Sequence, residues 1–276
     1  MRLRTLVLAF AALAASALPA CAAELTGAVQ QGALVLGRTQ PGATVTLDGR
    51  PVRVDEQGRF VIGFNRDAAG EATLVEIGPG GDQAETRLTI APRQWDIQRI
   101  DGLPDKQVTP DPKLLERIRA ENARVAAVRE TDRPDPDVFA GFALPVPAET
   151  RVSGVFGSQR ILNGQPRSPH SGTDWAAPEG TAVGAVGPGV VSLAEDDLFY
   201  TGKTVMIDHG HGVQSVYAHL SRIDVGTGAR VATGQTIGAV GATGRATGPH
   251  LHFGISWFGE RLDPQTALPV LIRPGE

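Results

Sequence analysis

His250-Leu-His-Phe-Gly-Ile-Ser-Trp257 reads as a strand whose alternation sets both imidazoles on one face and Leu251 on the other. Runs of similar character lie at 181–186, 189–193, 204–207 and 213–219, punctuated by Gly187-Pro188, Gly210 and Gly234. No stretch among them supports a helix of ten residues. Residues 141–266 are therefore expected to form a compact antiparallel β-fold. The 34 Gly and 20 Pro of the whole chain agree with short strands and many turns.

Upstream, residues 24–92 carry four more strand-like runs: Ala43-Thr-Val-Thr-Leu47, Pro51-Val-Arg-Val54, Arg59-Phe-Val-Ile62 and Thr73-Leu-Val-Glu-Ile77. Asp48-Gly49 is a type I′ hairpin pair, and the strand spacing points to a small β-sandwich. With no His and no clustered acids, this part reads as a structural or binding module. Residues 93–140 read as a connector. Asp111 is expected to cap, and Pro112 to begin, an amphipathic helix carrying Leu114, Leu115, Ile118, Val125 and Val128. Arg133-Pro-Asp-Pro136 stops it. We expect this helix to be exposed, with packing across a groove as the other reading. Residues 267–276 are left as a C-terminal tail.

Residues 1–23 have the layout of a secretory signal: Arg2 and Arg4, an apolar run from Leu6 to Leu18, then small residues at Ala20-Cys-Ala-Ala23. At about 1.5 Å per residue the apolar run falls well short of the ~30 Å hydrocarbon core, so no transmembrane segment is expected in the mature chain. The expectation is export to the periplasm or cell envelope as a soluble protein. Lipid anchoring at Cys21, through Leu18-Pro-Ala-Cys21, is the competing reading.

Composition narrows the chemistry. A net charge of −4 lacks the basic footprint of a nucleic-acid binder. A single Cys excludes a disulfide framework and any thiolate-rich metal site, so a metal must be held by His and carboxylate. All six His fall between residues 170 and 252. In His170-Ser-Gly-Thr-Asp174, Pro169 and Gly172 disfavour a helix, whereas strand alternation puts positions 170 and 174 on one face. Adjacent strands carrying this pair and His250-Leu-His252 would gather the three nitrogen or oxygen ligands of an open catalytic zinc site. Tyr217-Ala-His-Leu-Ser221 adds another imidazole at a strand end. Blander readings stand beside these: Asp174 bracing a loop, and His219 as a satisfied core imidazole. His209-Gly-His211 reads as a hairpin turn, with His209 in a structural hydrogen bond and His211 in solvent.

Taken together, Gly154-Val-Phe-Gly-Ser-Gln-Arg160, His170-Ser-Gly-Thr-Asp174, Tyr217-Ala-His-Leu-Ser221, Gly234-Gln-Thr-Ile-Gly238 and Gly244-Arg-Ala-Thr-Gly-Pro-His-Leu-His-Phe253 carry a resemblance. Residues 141–266 resemble the M23 (LytM- and lysostaphin-like) zinc metallopeptidases that cut peptidoglycan peptides. The module and connector look like the N-terminal part of secreted Gram-negative members. The resemblance implies Zn2+ on His170, Asp174 and His252, with His219 and His250 as the catalytic pair. It also implies a substrate among peptidoglycan stem peptides, with the D-Ala–meso-diaminopimelate crosslink as the bond. The alternative within the resemblance is a catalytically silent LytM-type regulator that binds and activates a wall amidase. Such relatives lack the zinc ligands, and this chain keeps all of them. A serine hydrolase has no G-x-S-x-G elbow around Ser215, and Gly202-Lys-Thr204 lacks the leading Gly of a P-loop because position 197 is Asp.

Overall fold

The computed structural model describes residues 22–100 and 112–272. The signal segment, Cys21 and the Asp111 cap lie outside the described residues. In the N-terminal module, one antiparallel sheet is formed by β1 (Glu24–Thr26), β2 (Leu34–Arg38) and β5 (Arg59–Gly63). A second, in the order β4-β3-β6-β7, comprises β3 (Thr44–Leu47), β4 (Arg50–Val52), β6 (Glu71–Ile77) and β7 (Gln83–Thr89). Asp48 and Gly49 take φ of 49° and 79°, the double positive φ of a type I′ turn, and Leu47 faces Arg50 across it. Leu34, Phe60, Ile62, Val45 and Leu74 are buried in the module's core.

β8 (Ile97–Ile100) leaves the module and pairs in parallel with β10 (Gln159–Leu162), whose other neighbour is β11 (Gln165–Pro166). The rest is built on a large antiparallel sheet. Its central strands are β14 (Gly189–Leu198), β15 (Gly202–Asp208), β16 (Val213–Ile223), β19 (Leu251–Trp257), β12 (Thr173–Ala176) and β9 (Arg151–Gly154), in that spatial order. β17 (Arg230–Val231) lies beside β14, β20 (Glu260–Leu262) beside β19, and β18 (Thr236–Val240) bridges β16 and β13 (Ala182–Gly184).

The two faces of this sheet have separate fates. Val205, Ile207, Tyr217, Leu251, Phe253 and Trp257 belong to one buried cluster that continues into the N-terminal module. On the opposite face, Leu193, Leu198, Met206 and Val216 are covered by Val125 and Val128 of α1 (Pro112–Arg129). Gln214 Nε2 donates to the Val128 carbonyl at 2.6 Å, tying the helix down. The connector helix is thus packed on the sheet rather than exposed. Its apolar stripe removes from water a patch of sheet that would otherwise stay wet.

A second correction concerns the C-terminus. Residues expected as a tail continue α2 (Pro264–Leu271), in which Ala267, Leu268 and Leu271 are buried. Asp263 caps it by accepting from the Gln265 N–H, and Arg93, at the start of the connector, pairs with the same carboxylate at 2.8 Å. Among the described residues no helix is long and apolar enough to cross a membrane.

Candidate metal centre

β12 and β19 are antiparallel neighbours with Asp174 directly opposite His252, so both side chains rise from the face that α1 shares. His170 is not on β12, contrary to the period-two argument. It precedes the strand in a loop pinned by Gly157 N–H to its carbonyl (2.9 Å) and by its own N–H to the Ser158 carbonyl (2.8 Å). From there His170 Nε2 lies 3.0 Å from Asp174 Oδ1 and 3.0 Å from His252 Nδ1. His252 Nδ1 lies 2.8 Å from the same carboxylate oxygen.

The donor set fits a divalent cation. The Val155 carbonyl, 2.9 Å from His170 Nδ1, can only accept, so Nδ1 carries a proton. Protonated, His170 donates from Nε2 to Asp174; deprotonated, it turns the Nε2 lone pair toward a carboxylate oxygen and a second imidazole nitrogen. Three electron-rich atoms facing one point repel until positive charge lies between them. The triangle of 2.8–3.0 Å is only slightly tighter than the roughly 3.3 Å separation implied by tetrahedral ligation at about 2.0–2.1 Å. Two glycines make the approach possible. A Cβ on Gly154 would strike the Asp174 carboxylate, and one on Gly172 would strike the Phe253 carbonyl and the His252 ring.

The hydrogen bonds and burial of the cluster set its charges. Burial opposes ionisation of Asp174, yet hydrogen bonds from His170 and His252 hold its carboxyl well below the usual range. Burial also works against a charged His170, but the Asp174 carboxylate and the Val155 carbonyl outweigh it and raise its pKa. Burial, with the charge of His170, pushes His252 down against the pull of Asp174.

Two further imidazoles border the cluster. Ala218 is the partner of His252 on β16, so unbroken alternation would turn residue 219 into the core beside Tyr217. His219 instead adopts φ of 61°, next to a register shift in the strand. Its ring meets His250 at 4.7 Å and His252 at 6.1 Å between centroids. Both outer imidazoles are held by backbone: His219 Nδ1 is 2.8 Å from the Thr243 carbonyl and His250 Nδ1 is 2.8 Å from the Gly248 carbonyl. Each Nδ1 therefore carries a proton, and Nε2 is the nitrogen left for chemistry. Burial pushes His219 down to about 4.

The remaining pair lies elsewhere. His209 is fully buried, with Nδ1 donating to the Pro188 carbonyl at 2.7 Å and Nε2 accepting from the Ser215 hydroxyl at 2.8 Å. That chain continues to the Tyr217 hydroxyl, which accepts from the Val186 N–H. The structural reading of His209 holds. His211 was expected in solvent, but it is only 2% exposed. Connector residues fold over the turn: His211 N–H donates to the Arg133 carbonyl, and Phe139 packs edge-on to the ring at 5.1 Å. The Arg53 backbone faces the ring without completing a hydrogen bond to either buried nitrogen.

Sequence reasoning missed Thr243, whose carbonyl orients His219 and whose hydroxyl accepts from the Lys203 N–H and donates to the Leu220 carbonyl. It also missed Arg129 and Arg261, which line a cavity that includes His252. No spacing rule links two arginines so distant in the chain.

Residues 168–264 match the sequence profile of peptidase family M23. The peptidoglycan DD-endopeptidase ShyA of Vibrio cholerae is 44% identical over 110 residues, covering 40% of this chain and 25% of that protein. The DD-carboxypeptidase/endopeptidase Mpg of Neisseria meningitidis is 41% identical over 131 residues, covering 47% of this chain and 30% of that protein. The chain thus spans less than a third of the length of these curated relatives. A crystal structure assigned to peptidase M23 from Pseudomonas aeruginosa aligns over 87% of this chain and 95% of that one, with a TM-score of 0.67 and 30% identity. Agreement over nearly the whole of that structure, module and connector included, places this chain in peptidase family M23.

Proposed function

We propose that this protein is a zinc-dependent endopeptidase of the periplasm or cell envelope that hydrolyses peptide crosslinks of peptidoglycan at the D-Ala–meso-diaminopimelate bond. The observation that carries the reading is the convergence of His170 Nε2, Asp174 Oδ1 and His252 Nδ1 within 3.0 Å of one another, bordered by two more imidazoles. The relatives named as peptidoglycan DD-endopeptidase and DD-carboxypeptidase/endopeptidase supply the substrate class.

His170, Asp174 and His252 would hold the zinc, two neutral imidazoles and one carboxylate leaving it a net positive charge. When bound, the ion supplies Lewis acidity that makes a water more nucleophilic and polarises the scissile carbonyl. His219 and His250 do the proton work. With Nδ1–H fixed on the Thr243 and Gly248 carbonyls, their Nε2 atoms accept the proton released by the attacking water and return it to the departing amine. Whichever ring holds the proton can also donate to the carbonyl oxygen as negative charge develops there. The silent-regulator alternative needs a site stripped of ligands, and no observation favours it.

Digestion of defined crosslinked muropeptides, with and without chelator and with mass spectrometry of the products, tests the reading. Scission at the D-Ala–diaminopimelate bond that chelation abolishes is the expected result. Intact crosslinks after incubation with zinc-loaded protein would overturn it.

A further inference from the structure

Between α1 and the sheet lies a cavity of about 130 Å³ whose lining includes Arg129, Arg261, Asn122, Ser171 and the candidate ligand His252. This is ample room on a scale where roughly 10–15 Å³ admits one water. Two guanidinium groups in one small cavity need anions, and Glu121, the one carboxylate residue in its lining, has both oxygens bound to Arg117 and the Phe199 N–H instead. Arg129 is 6% exposed, and the one hydrogen bond of its side chain among the described residues is a long one, 3.4 Å to the Val125 carbonyl of its own helix. The Arg261 side chain makes no hydrogen bond or ion pair among the described residues.

The carboxylates in the neighbourhood are engaged elsewhere. Glu121 accepts from Arg117 Nε at 2.6 Å and from the Phe199 N–H at 2.7 Å. Glu130 faces Arg50 at 3.6 Å, and Glu260 accepts from Asn65 Nδ2 at 2.5 Å. Burial, then the charge of Arg261, pushes Arg129 down to about 9, and burial pushes Arg261 down to about 10. Two adjacent, poorly solvated cations left uncompensated are an arrangement that an incoming anion relieves. A guanidinium fork matches a carboxylate in two parallel hydrogen bonds, and Ser171 and Asn122 add neutral polar groups to the same lining.

We propose that Arg129 and Arg261 form a carboxylate subsite beside the metal centre, which binds a carboxylate of the peptide whose amide that centre hydrolyses. The identity of the peptide rests on the hydrolase reading; the anion site does not. The carboxylate has two possible sources, the C-terminus of a stem peptide or the side-chain carboxylate of its diamino acid.

The test uses the full chain stripped of metal by chelation and dialysis, so that no ion competes for the carboxylate. N-acetyl-D-alanyl-D-alanine and its C-terminal amide are titrated calorimetrically, as are a diaminopimelate-containing peptide and its side-chain amide. At least one acid should bind about tenfold or more tightly than its amide, and Arg261→Gln and Arg129→Gln should each remove most of that difference. The pair that shows the difference names the source. Both variants should melt at or above the wild-type temperature, because each removes one of two charges held close together without an acidic partner. If a Gln variant does not fold, Arg261→Lys, which keeps charge without the fork, should give intermediate affinity. Equal binding of acid and amide in both pairs, or unchanged affinity in folded variants, would overturn the subsite. Acid-selective binding by a protein that, zinc-loaded, cleaves no crosslink would instead overturn the hydrolase reading and leave the subsite standing.

Discussion

Two His-x-His segments sit on the same sheet and come to opposite ends. In His250-Leu-His252, each imidazole fixes one ring nitrogen on a neighbour, the Gly248 carbonyl or the Asp174 carboxylate, and His252 also borders a cavity. In His209-Gly-His211, the first ring spends both nitrogens on Pro188 and Ser215, and the second is closed in beneath the connector. The spacing is the same. What separates a candidate ligand from a structural imidazole is which atom holds the other nitrogen and whether the free lone pair meets protein or space. A backbone carbonyl on one nitrogen, as at His170, His219 and His250, sets the tautomer and frees the other nitrogen for chemistry.

Substitutions in the two segments should separate accordingly, and the largest effect lies in the first. His252→Ala should bring bound metal and crosslink cleavage down together to background, read by metal analysis of the purified variant and by muropeptide digestion. His219→Ala should keep its metal and lose cleavage by roughly 10²–10⁴-fold, the range for removing a general acid–base group. A metal-free His219→Ala variant would move that residue into the ligand set.

The second segment should affect stability and not metal. His209→Ala leaves the Pro188 carbonyl and the Ser215 hydroxyl without their partner, so unfolding free energy should fall by about 3 kcal/mol with metal content unchanged. The loss should also depend on pH. Burial pushes His209 from its usual 6.5 down to about 4, so the unfolded chain takes up this proton before the folded one does. The contribution is whole above pH 6.5 and is lost as pH falls toward 4, on the order of 3 kcal/mol in all. Urea midpoints at pH 7 and pH 4.5 should therefore show the gap between wild type and His209→Ala narrowing in acid. The smallest effect belongs to His211→Phe, which swaps one ring for another where no side-chain hydrogen bond is made. Its midpoint should shift by less than about 1 kcal/mol in either direction.

Legibility followed the reach of each interaction. Strand alternation at 250–252, the Asp48-Gly49 turn and the helix stripe from Leu114 to Val128 are local patterns, and each formed where the residues indicated. Asn163-Gly164, with φ of 48° and 74°, is an equally local hairpin signal joining β10 to β11. β7 went unread for a different reason. As an edge strand paired only to β6 it buries little but Leu88, so its sequence carries almost no apolar period.

Residue types and short spacings therefore settled which side chains could bind a cation, that no thiolate was available, and that most of the chain would be strand. They could not place His170 on its loop, turn His219 across its strand, close the connector over His211 or set two arginines against His252. Those outcomes depend on contacts between segments scores of residues apart. Such contacts are chosen by how much apolar surface and how many polar partners the whole packing satisfies at once, a quantity that no window of sequence contains.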